Sequence, residues 1–193
     1  MLTITSDLRA ADAYAVRGTV DLVQRISATD LARPTPCAGW DLAALLGHMT
    51  EQHRGFAAAA RGSGTAREPA GDPVRAYVDA ADEVISAFAA DDELDRPFHL
   101  PEFGRPVPLR MAIGFHLVDY VVHGWDVART IGAAYRPDPE VLAQALPIVR
   151  AVPDGPERLA LEAPFRPALP VAAGADALTE ILLLLGRDPD RPL

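Results

Sequence analysis

Three side chains able to hold a metal or move a proton lie in the most apolar stretch of this chain. They are His116, Asp119 and His123. Their spacing is i, i+3, i+7, which on a helix confines them to an arc of roughly 60°. They would form one polar stripe on a helix that is otherwise apolar nearly all round. A buried carboxylate is costly unless it is paired or bound to a metal. Asp119 and His123, at i and i+4, put two ligand atoms on the same side one turn apart, as metal sites in helical bundles require. The third ligand has to come from another element. Three protein ligands with an open fourth position is the arrangement of catalytic rather than structural zinc. The plainer alternative is an Asp–His pair that hydrogen-bonds to itself or closes a polar cavity. Spacing alone leaves both open.

The elements that must position these residues can be read from periodicity. Apolar residues at helical spacing predict helices over about 7–26, 41–61, 73–90 and 109–131. Pro- and Gly-rich connections separate them at 32–39, 62–73 and 91–108. A further helix is expected over 137–149, interrupted by Pro147, and another over 175–185. Short extended pieces are expected at 159–170, and the final GRDPDRPL reads as a tail. The expected fold is mainly α: a four-helix bundle over residues 5–132, with a small C-terminal α/β extension over 133–193. Two histidines of the second helix compete to supply the third ligand. Measured from Leu42, His53 points near the centre of the apolar face and His48 lies roughly 100° away, at its edge.

Composition narrows the function. The 193 residues carry a net charge of −9 and are 49% hydrophobic, which suits a globular chain with its own core. No basic stripe is present, so nucleic acid and anionic membrane surfaces are not expected partners. All 18 basic residues are Arg, and neither Lys nor Asn occurs, which points to a GC-rich genome. The single cysteine, Cys37, excludes an internal disulfide and fits a reducing cytoplasm. No signal pattern opens the chain, and no apolar run is long enough to span a bilayer.

Two segments carry a resemblance. TPCAGWDLAALLGHM, residues 35–49, and DYVVHGWDVARTIG, residues 119–132, resemble the paired motifs of the mycothiol-dependent maleylpyruvate isomerase-like proteins. These form the actinobacterial branch of the DinB-like metal-binding four-helix bundles. The terminal LLGRDP, residues 184–189, is similar to the usual ending of that branch. The resemblance implies a DinB-like four-helix bundle that binds a divalent metal, most simply zinc, with mycothiol as a possible cosubstrate. Carried over by motif, the ligands would be His48, Asp119 and His123. The first motif matches His48, against the periodicity preference for His53. In the isomerases proper the acidic ligand is usually Glu; Asp119 is one methylene shorter, as in a related subgroup. Those isomerases also have a larger C-terminal domain, whereas only about 60 residues follow the bundle here.

The expected function follows from this resemblance. It is a metal- and mycothiol-dependent transferase or isomerase acting on a small electrophilic substrate, with His116 as the candidate general acid. A metal-binding stress protein without thiol chemistry and a metal-dependent hydrolase are the alternatives. The expected partners are a small-molecule substrate and a low-molecular-weight thiol, with a homodimer left open. Asp126 would orient a ligand or bind an arginine. Trp40 and Trp125 would pack around the motifs or wall the pocket. Cys37 would belong to the turn into the second helix rather than act as a nucleophile, and His99 would be exposed.

Overall fold

Aspartates, two of them followed by proline, set where most of the helices begin. In the computed structural model, which describes residues 4–62, 71–99, 104–160 and 163–193, six α-helices carry the architecture. They are α1 (Arg9–Val23), α2 (Leu42–Ala60), α3 (Pro73–Ala89), α4 (Leu109–Ile131), α5 (Pro139–Arg150) and α6 (Ala177–Leu184). Asp41 caps α2 by accepting from the Ala44 N–H, and Asp176 caps α6 by accepting from Thr179. Asp72 and Asp138 do the same for α3 and α5, each followed by a proline whose missing N–H costs nothing in the first turn.

Helices α1 to α4 form the bundle: α1 packs on α3 and α4, and α2 packs on α3 and α4. A short antiparallel pair, β1 (Pro97–Phe98) and β2 (Val107–Pro108), leads into α4 with Phe98 opposite Val107. Helix α4 is buried on nearly every face, with Ile113, Leu117, Val121 and Val127 fully enclosed. That is the environment its all-round apolar sequence requires.

Beyond Ile131, α5 packs against α1, α4 and α6. Ile148, Ile181 and Leu185 join the same hydrophobic core as the bundle. A 3-10 turn (Pro156–Leu159) connects α5 to the segment before α6. Three expectations are adjusted here. Helix α5 runs on past Pro147 to Arg150 because its apolar face, Val141, Leu142, Ala145, Ile148 and Val149, is buried on both sides of the proline. The stretch from 159 to 170 forms no strand among the described residues; the two strands belong to the bundle instead. The terminal segment does not hang free: Arg187 folds back and is buried.

One close approach fixes the geometry around His123. A Cβ at Gly124 would lie 2.6 Å from the Tyr135 hydroxyl oxygen and 2.8 Å from its ring. That hydroxyl donates to the Val121 carbonyl at 2.8 Å, pinning the chain after α4 against the helix. Gly124→Ala should therefore cost about 1–3 kcal/mol by overpacking, read from urea denaturation. The penalty should shrink when Tyr135→Ala is already present, because the clash is then gone; additive penalties would contradict the packing argument.

Candidate metal centre

The turn into α2 is built by one hydroxyl. Thr35 Oγ1 accepts from the Cys37 N–H at 3.1 Å and donates to the Trp40 carbonyl at 3.0 Å, while the Trp40 N–H bonds the Cys37 carbonyl at 3.0 Å. This folded turn sends Cys37 inward and lays the Trp40 ring 4.8 Å from the ring of His48, centroid to centroid. His48 follows two turns into α2.

From α4, Asp119 and His123 meet His48. One ligand atom from each of the three lies within 4.8 Å of the other two. His123 Nε2 is 3.4 Å from Asp119 Oδ1. Two ligand atoms of a tetrahedral zinc lie about 3.4 Å apart, given metal–ligand distances of about 2.1 Å. The other nitrogen of His123, Nδ1, donates to Asp126 Oδ2 at 2.9 Å. That bond commits Nδ1 and turns Nε2 toward Asp119, the second-layer arrangement typical of metal-bound imidazoles. The donor set therefore fits a divalent ion. His123 is buried, whereas Asp119 is 28% exposed and His48 is half-buried, so the group opens to solvent on one side.

The three side chains also set one another's charge. Burial lowers the pKa of His48, and its neighbour His123 lowers it further. Burial also opposes a charge on His123, but Asp119 and Asp126 outweigh it and push its pKa up to about 10. Without metal, His123 thus holds a proton between two carboxylates. Burial raises the pKa of Asp126, yet Arg187 and His123 together hold it below the ordinary carboxylate value.

A second trio, Cys37, His123 and Asp126, also brings ligand atoms together. Its positive charge is already supplied by the protein. Arg187 donates to Asp126 Oδ2 at 3.2 Å and lies 3.8 Å from the Cys37 sulfur, which itself donates to Asp126 Oδ2 at 3.3 Å. A metal ion there would face a guanidinium at contact distance.

The other inward-facing histidines form a separate layer. His116 Nδ1 bonds Asp12 Oδ1 at 2.7 Å, and its Nε2 meets His53 Nδ1 at 3.1 Å. His53 stacks on Tyr120 with ring centroids 3.9 Å apart, and the Tyr120 hydroxyl donates to the Met49 carbonyl. Tyr77 hydrogen-bonds Thr19 beside them. The structure thus groups His48, rather than His53, with Asp119 and His123. His116, expected as a general acid, is fully buried with both ring nitrogens engaged and has none free to offer that group. His99 is exposed, and Trp125 is partly buried against the core.

Sequence reasoning missed Asp12 and Arg187. Asp12 could have been found, since it follows Leu8 at i+4 within the apolar stripe of α1. Arg187 gave no periodic signal; only its place in the terminal motif marked it.

With this geometry in view, relatives decide the family. The family model described as mycothiol maleylpyruvate isomerase N-terminal domain matches residues 13–128. The chain belongs to this family. Two uncharacterized proteins of Mycobacterium tuberculosis, from strains CDC 1551 / Oshkosh and ATCC 25618 / H37Rv, are each 30% identical to it over 182 residues. The alignment covers 93% of this chain and 94% of each relative. No solved structure matches. The matched span contains His48, Asp119 and His123 but not Arg187.

Two pH effects are expected. Metal uptake must displace the His123 proton, so binding at neutral pH should release about one proton per ion, measurable with a pH indicator in weak buffer. Uptake without proton release would contradict the charge assignment. Separately, burial holds the pKa of His53 well below 6.5. Below pH 6.5 the unfolded chain takes up a proton that folded His53 does not, so stability should fall with pH at up to about 1.4 kcal/mol per unit. His53→Leu should flatten that slope in urea titrations between pH 6.5 and 4.5, and an unchanged slope would count against it.

Proposed function

We propose that this protein binds one divalent metal ion, with zinc fitting the donor set, through His48, Asp119 and His123. We propose further that it works with a low-molecular-weight thiol, mycothiol, to isomerise or conjugate a small electrophilic substrate. The observation that carries the reading is the convergence of two imidazoles and one carboxylate at a partly open position of the bundle. Family membership adds the thiol, since the matching family is described by mycothiol.

When bound, the metal would supply Lewis acidity, which stabilises the anion of a coordinating thiol at neutral pH. The chain's residues do the rest. His48 and the deprotonated His123 contribute no charge and Asp119 contributes one negative charge, so the loaded centre is left net positive and favours an anionic ligand. Asp126 orients His123 and keeps its Nε2 toward the opening. Trp40 covers His48 with an apolar face, which limits water on that side and offers a flat surface to the thiol or the substrate. Apart from Cys37, turned inward on Asp126, no thiol lies near the centre, which suits a sulfur nucleophile brought in from solution.

The purified protein should contain close to one metal ion per chain by elemental analysis, lost in His123→Ala and in His48→Ala but kept in His53→Ala. After cobalt replacement, added mycothiol should change the visible spectrum. Metal content indifferent to His48→Ala would defeat the ligand assignment. A cobalt spectrum blind to mycothiol would defeat the thiol chemistry and leave hydrolysis at the same centre as the reading to pursue.

A further inference from the structure

The last helix ends in a turn that delivers one side chain to the far side of the metal centre. At the end of α6, the Arg187 N–H bonds the Leu182 carbonyl at 2.9 Å and the Gly186 N–H bonds the Leu183 carbonyl at 3.0 Å. These two bonds make a Schellman motif, with Gly186 in the left-handed region at φ 75°. A side chain at 186 would also collide with the Arg166 backbone at 2.8 Å. The chain therefore reverses at Gly186 and turns Arg187 back toward α4. There its guanidinium lies 5.8 Å from the Phe165 ring centroid and donates to the Leu185 carbonyl and to Asp126 Oδ2.

This contact is poorly explained as a device for stability. Asp126 is 0% exposed and Arg187 is 9% exposed, and desolvating such a pair cancels much of its attraction unless every polar atom is satisfied. Here satisfaction is incomplete: Asp126 Oδ1 and Arg187 Nε are buried without a hydrogen-bond partner. A two-pronged Arg–carboxylate contact would satisfy both. Instead three donors, from Arg187, Cys37 and His123, crowd onto the single oxygen Oδ2. That oxygen is the one that holds the His123 ring.

We propose that Arg187 is a positioning residue for the metal centre: from the C-terminal extension it clamps Asp126 Oδ2, and through that oxygen it fixes the ring of His123. The inference rests on the reading of His123 as a metal ligand. It makes the extension part of the centre, although the described residues of 133–193 supply no ligand. Loss of the clamp frees the Asp126 carboxylate to rotate about its last bond toward its unpartnered oxygen. The His123 ring then loses its fixed plane, and Nε2 loses its aim at Asp119.

The test uses the full-length protein. In metal-free wild type, NMR should show a through-space contact between the His123 Nδ1 proton and the Arg187 guanidinium protons; its absence overturns the proposal. In Arg187→Met, the His123 ring nitrogen signals should shift or broaden while the circular dichroism stays that of wild type. Cobalt affinity should fall by about 10–100-fold, with an altered visible spectrum. Arg187→Lys should recover part of both, and Arg191→Met, on the exposed end of the same segment, should change neither. Arg187→Gln replaces Arg187→Met if the latter does not fold. Wild-type ring signals and wild-type cobalt affinity in the folded variant overturn the proposal. If wild type itself takes up no cobalt, the metal assignment fails, and the His123 signals still decide whether Arg187 positions the ring.

Discussion

Helix α4 is enclosed on nearly every face, and yet it carries His116, Asp119, His123, Asp126 and Thr130. Only Asp119 among these keeps appreciable contact with solvent. Each of the others needs a partner from inside the protein, because a buried polar group without one is costly. Much of the architecture can be understood as the supply of those partners. Helix α1 brings Asp12 to His116, and α2 brings His53 to the same ring. The turn before α2 brings Cys37 to Asp126, and the segment after α6 brings Arg187. Thr130 is satisfied locally by the Asp126 carbonyl.

These partners fall into two layers that differ in character. The Asp12–His116–His53 layer is closed: its groups bond one another, Tyr120 stacks over His53, and no side of it reaches solvent. About one turn along α4, the His48–Asp119–His123 group is open, and its carboxylate is partly hydrated. Similar residue types thus stand in two different settings in one bundle. The difference comes from what stands beside them: in the closed layer the His116 nitrogens are held by buried partners, while in the open one His123 Nε2 lies 3.4 Å from a carboxylate that is 28% exposed.

Much of this was readable beforehand, and for physical reasons. Helices declare themselves through period, and Pro- and Gly-rich connections mark their limits, so the boundaries of α2, α3 and α4 fell within a residue or so of expectation. The pairing of Asp119 with His123 followed from i, i+4 geometry. The choice between His48 and His53 did not, because periodicity ranks distance from the centre of a helix face, and His48 meets Asp119 and His123 from the half-exposed edge of that face. His116 shared the ligand stripe of α4, but a 60° arc on a helix is wide enough to serve two different neighbours. Arg187 was invisible to periodicity: its burial depends on a chain reversal at Gly186 and on Asp126, 61 residues earlier.

The turn at residues 35–40 looks like an ordinary surface connection, the kind that tolerates insertion and drift among relatives. Here it spans both sides of the centre. Cys37 lies under Asp126, Trp40 lies over His48, and the Thr35 hydroxyl holds the two at a set separation. The loop therefore acts as a caliper. One residue added between Cys37 and Trp40 would force it to release one jaw. Its length should be under tighter restraint than that of helices far more deeply buried.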